Sequence, residues 1–103
     1  MTTKTRVRAK TTLEKQLGTL TLGNFLQALR KSEDWSQSDL AERLGVSKAH
    51  ICDIEKERKG LSAKRAAEFA NKLGYPQAQF VRLALQHQLA QAGLALKVDV
   101  RAA

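Results

Sequence analysis

Several kinds of residue are scarce in this sequence of 103 residues, and each shortage excludes a class of protein. A single cysteine, Cys52, cannot form an internal disulfide bond, and two histidines offer no cluster of metal ligands. No apolar run approaches the roughly 20 residues that a membrane-spanning helix requires, and the first residues lack the apolar core of a signal peptide. The sequence therefore predicts a cytoplasmic protein that carries no metal or cofactor and does not associate with membranes.

Positive charge, in contrast, is abundant. Lysine and arginine number 18 against 10 acidic residues, which gives a net charge of +8 at pH 7. Such an excess favours an anionic partner through long-range attraction. Half of it lies in residues 1–20, where five basic residues stand against one acidic residue, giving +4. We interpret residues 1–20 as a basic flexible arm, because they have almost nothing to bury.

Residues 21–92 show the spacing of apolar residues that is typical of amphipathic helices. The apolar stripes, the polar caps and the glycine stops together predict an all-α domain of five helices. Proline is favoured at the first position of a helix, and Pro76 is expected there in the fifth one. The five helices are expected at about residues 22–31, 37–44, 48–56, 63–73 and 76–91.

The second and third predicted helices meet at a tight angle. Ser36 and Asp39 can form a capping box at the start of the second helix. Gly45 suits a left-handed residue at its end, and Ser47 can cap the next helix. The residues expected to face inward are Leu40, Ala41, Leu44, Ile51 and Ile54. This pattern is typical of a helix-turn-helix, whose partner is duplex DNA, and the alternative is an ordinary helical hairpin in a small bundle.

These residues resemble the Cro/cI-type, phage-repressor-like family of helix-turn-helix proteins. The resemblance spans residues 22–85, and small antitoxins of the HipB and HigA kinds share the domain. Its main supports are Leu29-Arg30, Trp35-Ser36-Gln37, Leu40-Ala41, Leu44-Gly45-Val46-Ser47, Ile54-Glu55 and Leu73-Gly74. The chain departs from the family where Glu57 replaces a usual glycine and Leu61 a usual proline. Either the third helix extends further, or Glu57 adopts a mildly strained conformation.

The resemblance implies which residues contact DNA. The base edges would be contacted by Ser47, Lys48, Ala49 and Asp53, with His50 or Cys52 at the periphery. The DNA backbone would be contacted by Gln37, Lys56, Arg58 and Lys59. The N–H groups at a helix N-terminus are a natural site for phosphate, which agrees with the position of Gln37.

The chemistry of three of these side chains fits base recognition. Lys48 can donate to guanine, Ala49 can pack on a thymine methyl group, and Asp53 can accept from the cytosine N4 amine. For Asp53, an ion pair with Lys56 or Lys48 that only aims the lysine is an equal alternative. A solvated loop is the corresponding alternative for Arg58 and Lys59.

Residues 93–103 change period, since Leu94, Leu96, Val98 and Val100 alternate with less apolar residues. Alternation is a strand pattern, and a lone strand needs a partner for its edges. The segment could pair with its counterpart in a homodimer or add to the sheet of another protein. A disordered tail with accidental alternation is an equal alternative. The fifth helix is the expected dimer contact, because its apolar surface exceeds the need of one core stripe.

Two functions follow from these patterns. The first is a transcriptional repressor that binds double-stranded DNA in a sequence-specific manner, as a homodimer on an inverted-repeat operator, and regulates its own gene. The second is an antitoxin that also neutralises a toxin protein by direct binding. No nucleophile–base pair, metal-ligand cluster or phosphate-binding loop is present in the sequence, so we do not expect an enzyme.

Overall fold

Five α-helices form the domain in the computed structural model, which describes residues 20–103. They are α1 (Leu22–Ser32), α2 (Gln37–Leu44), α3 (Lys48–Glu55), α4 (Ala63–Leu73) and α5 (Gln77–Gln91). The predicted all-α fold is confirmed, and each helix lies within about one residue of its expected position. Pro76 is the N-cap of α5 and not its first residue. Apart from Leu20, the predicted basic arm lies outside the described residues.

The turn between α2 and α3 forms as its sequence predicts. The Ser36 hydroxyl accepts from the Asp39 N–H at 3.0 Å, and the Asp39 carboxylate accepts from the Ser36 N–H at 2.9 Å. These hydrogen bonds, first the one from the Ser36 backbone, lower the pKa of Asp39. Gly45 ends α2 in the left-handed region at φ 71°, and the Ser47 hydroxyl caps α3 by accepting from the His50 N–H. Local hydrogen bonds thus fix where each helix begins.

The core is formed by one apolar face of every helix, with Phe69 and Phe80 as its largest fully buried side chains. Phe80 packs edge-to-face with Phe25 and Tyr75, at ring separations of 5.3 and 6.1 Å. Helix α3 buries only three of its eight residues, Ile51, Ile54 and Glu55. The remaining side chains of α3 are available to solvent along one face.

Gly23 sets the distance between α1 and α3. A Cβ atom at this position would lie 2.6 Å from the carbonyl oxygen of Ile54 and 2.7 Å from that of Glu55. Such distances are too short for a side chain, so the first turn of α1 approaches the end of α3 only because residue 23 is glycine.

The predicted C-terminal strand does not form in the described chain. Residues 94–103 have no strand assignment, and Leu94 and Leu96 are about half exposed. A strand is defined by hydrogen bonds to a neighbouring strand, and residues 20–103 contain no other strand to pair with. The segment instead lies along α5, where the Gln86 amide donates to the Leu96 carbonyl and accepts from the Val98 N–H at 3.0 Å.

Candidate nucleic-acid interface

The first turn of α3 protrudes from the domain. Ser47, Lys48 and Ala49 are exposed, while Ile51 and Ile54 are fully buried and hold the opposite face of the helix against the core. The predicted base-contacting residues therefore lie together at one end of α3. His50 and Asp53 belong to the same face but are half-buried.

The lysines next to this face are not held by acidic partners. Within residues 20–103, the ammonium groups of Lys48 and Lys56 take part in no ion pair or hydrogen bond, and both residues are exposed. A cation without an internal partner keeps its full capacity to bind an anion. The structure thus leaves both lysines available to phosphate groups or base edges.

Asp53 pairs with different cations from those expected. Its carboxylate lies 3.1 Å from Nε of Arg58 and 3.6 Å from Nζ of Lys59, not beside Lys48 or Lys56. The reason is the path of the chain after α3. The N–H groups of Arg58 and Lys59 both donate to the carbonyl oxygen of Asp53, which folds the loop back over this carboxylate.

The backbone conformation of Glu57 determines the path of the loop that follows α3. Of the two expectations for the residue, the strained conformation is confirmed: α3 ends at Glu55, and Glu57 has a positive φ of 62°. Its carboxylate accepts a hydrogen bond from the Thr21 hydroxyl and lies 3.5 Å from Nδ1 of His87, which is 9% exposed. Contacts with α1 and α5 thus hold Glu57 in a conformation that usually favours glycine.

A shallow groove runs beside the exposed end of α3, with a volume of about 330 Å³. Basic side chains from two other parts of the chain, Lys59 and Arg65, line it together with the turn and α3. Its lining residues are Gly45, Val46, Ser47, Ala49, His50, Asp53, Lys59 and Arg65. The groove is therefore concave, polar and positively charged at its rim.

His50 lies in the groove, where its surroundings favour the neutral imidazole. Burial lowers the pKa of His50, and the nearby charges of Arg65 and Lys59 lower it further, against a smaller opposing effect of Asp53. A neutral imidazole has one donor and one acceptor nitrogen. His50 can therefore contact either kind of polar group on a base edge.

Arg65 was not predicted from the sequence as a site residue. It lies in the first turn of α4, where its N–H is capped by the Ser62 hydroxyl at 3.1 Å. Its guanidinium lies 5.7 Å from the Phe69 ring and 3.8 Å from a carboxylate oxygen of Glu68. The first turn of α4 contains Lys64 as well and no acidic residue. Cations at a helix N-terminus oppose the helix dipole, and this unfavourable placement is the signal that the sequence contained.

Gln37 occupies the first position of α2 and is fixed by a buried ion pair. Its Nε2 donates to Oε1 of Glu55 at 3.1 Å. Arg30 donates to both oxygens of the same carboxylate, at 2.8 and 3.0 Å, and to the carbonyl of Trp35 at 3.0 Å. This network joins α1, α2 and α3, so the start of α2 keeps a constant position relative to α3.

The arrangement of α2 and α3 matches that of a known protein family. A model of the helix-turn-helix family matches residues 26–76, which include all of α2 and α3. This chain belongs to the helix-turn-helix family. It is accordingly a DNA-binding protein, in which α2 and α3 are the two helices of the motif.

A solved structure supports the fold of this helix-turn-helix protein. The hypothetical transcription factor NHTF from Neisseria is similar to it with a TM-score of 0.53 and 24% sequence identity. The likeness covers 69% of this chain and 79% of that one. No curated protein matches the sequence.

Residues 20–103 contain neither a candidate membrane-spanning helix nor a metal-ligand cluster. No helix in this range is long and apolar enough to cross a membrane. The same residues contain no group of three or more histidine, cysteine or acidic side chains arranged to hold a metal ion.

Proposed function

We propose that this helix-turn-helix protein is a transcriptional repressor that binds a specific inverted repeat in double-stranded DNA as a homodimer. The observation that carries the proposal is the exposed first turn of α3, where Ser47, Lys48 and Ala49 protrude between positively charged side chains. An α-helix fits the major groove of B-DNA, where each base pair presents a distinct pattern of donors and acceptors. The rim cations would meet the phosphates on either side.

Base recognition is assigned to the side chains at the tip of α3. Lys48 has no internal partner in the described chain and can donate to guanine O6 and N7, and Ala49 can contact a thymine methyl group. Neutral His50 supplies a donor or an acceptor at the edge of the same surface. We infer that Asp53 acts mainly by orienting Arg58 and Lys59, because both cations already contact its carboxylate.

Backbone contacts are assigned to the surrounding residues. Lys56, Arg58 and Lys59 follow α3 in a loop, and Gln37 marks the N-terminus of α2 on the other side of the motif. Arg65 at the start of α4 extends this set. Phosphate contacts of this kind fix the register of a protein on DNA without reading sequence.

A homodimer is proposed because one short helix contacts too few bases. Helix α3 has eight residues, of which only Lys48 and Ala49 are exposed. A single module of this kind buries a small area on DNA, so two linked half-sites are needed for useful affinity. The centres of the half-sites are then expected about 34 Å apart, on the same face of the duplex. Binding at its own promoter would occlude that promoter, which makes the protein autoregulatory.

Footprinting of the DNA upstream of the gene tests this proposal, together with affinities measured over a series of salt concentrations. We expect one protected inverted repeat, and a salt dependence that falls by about one unit in slope when a phosphate contact is removed. The variant Lys48→Ala should weaken the specific site more than random duplexes. Arg82→Ala is the matched control, because it removes an equal charge from α5, outside the helix-turn-helix motif. Uniform weak protection of all DNA would contradict the proposal.

An antitoxin function would require a protein surface in addition to α3. The exposed leucines of the C-terminal segment, Leu94 and Leu96, are the surface that would serve it. Co-purification with the product of a neighbouring gene, with the full chain and with a chain ending at Gly93, tests this second function. Capture by the full chain alone would support it, and capture by neither chain would contradict it.

A further inference from the structure

The C-terminal segment has one satisfied edge and one open edge. The Gln86 side chain bonds the Leu96 carbonyl and the Val98 N–H, which lie on the same edge of an extended chain. The backbone groups of Lys97 then point to the opposite edge, because successive residues of an extended chain alternate. Within residues 20–103, no hydrogen bond involves the backbone groups of Ala95, Lys97 or Asp99. An open edge of this kind is a template for pairing with another strand.

The open edge is complementary to itself in one antiparallel register. If a two-fold axis passes beside Val98, then Lys97 lies opposite Asp99 of the second copy, and Asp99 lies opposite its Lys97. Opposite charges in directly facing positions stabilise a strand pair, whereas like charges destabilise it. An axis beside Lys97 would place two lysines face to face. The charge pattern therefore selects the first register.

We propose that residues 94–102 form an antiparallel two-stranded ribbon with the same residues of a second copy, with the two-fold axis beside Val98. This inference rests on the proposed homodimer and identifies its interface. In this register the backbone N–H and C=O groups of Lys97 form hydrogen bonds with those of Asp99 in the second copy. Val98 faces the Val98 of the second copy in a pair without mutual hydrogen bonds. Leu96, which is 57% exposed in the single chain, lies opposite Val100 of the second copy.

The exposure of apolar side chains favours the C-terminal segment over α5 as the dimer interface. Phe80 and Leu83 are fully buried in the core of the single chain, so they are not available to a partner. The large hydrophobic side chains that are exposed in the described residues are Leu94 and Leu96, both in the ribbon segment or at its start. Gln86 attaches each strand to its own domain, so pairing of the strands also fixes the two α3 helices relative to one another.

Charge reversal tests the register in the full-length chain without DNA. Lys97→Glu and Asp99→Lys each turn two attractive cross-strand pairs into repulsive ones, so each should raise the dimer Kd by about tenfold. The double variant Lys97→Glu/Asp99→Lys restores both pairs and should recover the dimer. In the single chain Asp99 pairs with Arg101 at 3.1 Å, an exposed contact, so Arg101 is left unchanged. Lys64→Glu is the control, since Lys64 is an exposed residue of α4 outside the C-terminal segment. Sedimentation equilibrium at several protein concentrations measures all four variants.

Cross-linking tests the position of the axis independently. In a Cys52→Ser background, Val98→Cys should form a disulfide between copies, because facing Cα atoms in such a pair are about 4.5 Å apart. Lys97→Cys should form little of this disulfide, since its counterpart lies further along the partner strand.

Single charge reversals without effect, a double variant as weak as the singles, or a chain ending at Gly93 that dimerises normally would each overturn the proposal. These measurements use no DNA, so their failure is distinct from a failure of specific DNA binding.

Discussion

Two clusters of oppositely charged side chains lie close to α3, and they differ in burial. The first joins Arg30 to Glu55, whose side chains are 13% and 3% exposed. The second joins Asp53 to Arg58 and Lys59, whose side chains are 27%, 58% and 62% exposed. The residue types are nearly the same, but in the first cluster the charged groups already form their hydrogen bonds within the protein. The second still presents its cations to solvent.

The buried cluster holds the helices together, whereas the exposed cluster leaves its cations accessible to a ligand. Both oxygens of Glu55 receive hydrogen bonds from Arg30, and Gln37 adds a third, so no capacity remains for a ligand. The exposed pairs at Asp53 contribute little stability, because solvent screens them. The charges that hold the helices together are buried and satisfied, and the charges that we propose to meet DNA are exposed at the surface.

The largest effect is expected from breaking the buried cluster. Arg30→Met leaves the Glu55 carboxylate buried without its main partner, which should lower the free energy of unfolding by about 3–5 kcal/mol. Urea denaturation measures this loss. The double variant Arg30→Met/Glu55→Leu removes the isolated charge and should be clearly more stable than the single one. A single variant as stable as the wild type would contradict the structural role of the pair.

A smaller loss is expected when the contact between α1 and α3 is widened. Gly23→Ala places a Cβ atom against the carbonyl oxygens of Ile54 and Glu55, and should cost about 1–3 kcal/mol of unfolding free energy. Without this contact, the same change inside a helix would stabilise by about 0.5–1 kcal/mol, so the sign alone is informative. Ala28→Gly, at an exposed position of α1, is the reference for the helix propensity. Thermal unfolding followed by circular dichroism compares the two variants.

Substitutions in the exposed cluster should change the affinity for DNA and have little effect on the free energy of unfolding. Arg58→Ala is expected to change the free energy of unfolding by less than about 1 kcal/mol, because its pair with Asp53 is exposed. The same variant should lose about one unit of slope in a plot of log affinity against log salt concentration. A slope equal to that of the wild type would exclude Arg58 as a phosphate contact.

The smallest stability effect is expected at Asp53. Asp53→Asn frees Arg58 and Lys59 from their acidic partner, so affinity for all duplexes should rise, with a stability change within about 1 kcal/mol. Glu42→Gln is the matched control, since it removes an equal charge from an exposed position on α2. If the variant instead lost its preference at one cytosine, Asp53 would be a base contact and not an orienting residue.

The helices were predictable from the sequence because their signals are local. The caps at Ser36 and Ser47 and the left-handed Gly45 act within a few residues of the helix ends, and all three form as expected. The inward stripe of α2 and α3 is likewise confirmed, which is why the exposed half of α3 could be identified. The assignment of particular DNA contacts stays a prediction.

What was missed depends on contacts between distant residues. The conformation of Glu57 depends on Thr21 and His87, which lie 36 and 30 positions away, and neither partner has a sequence signal that points to the loop. The partners of Asp53 follow from that loop. Arg65 joins the groove only because α4 packs behind α2, at a separation that periodicity does not reveal. The strand pattern of residues 94–101 finds no partner strand within the described residues.

Selection of binding sites from a pool of random duplexes tests the central claim most directly, with the wild type and Lys48→Ala compared side by side. The account predicts that the wild type enriches an inverted repeat with half-site centres about 34 Å apart. Lys48→Ala should lose discrimination at one base pair in each half-site, by about 1–3 kcal/mol, and keep the rest of the sequence. Enrichment of no sequence by the wild type, or an identical repeat selected by both proteins, would contradict the role of α3 proposed for this protein.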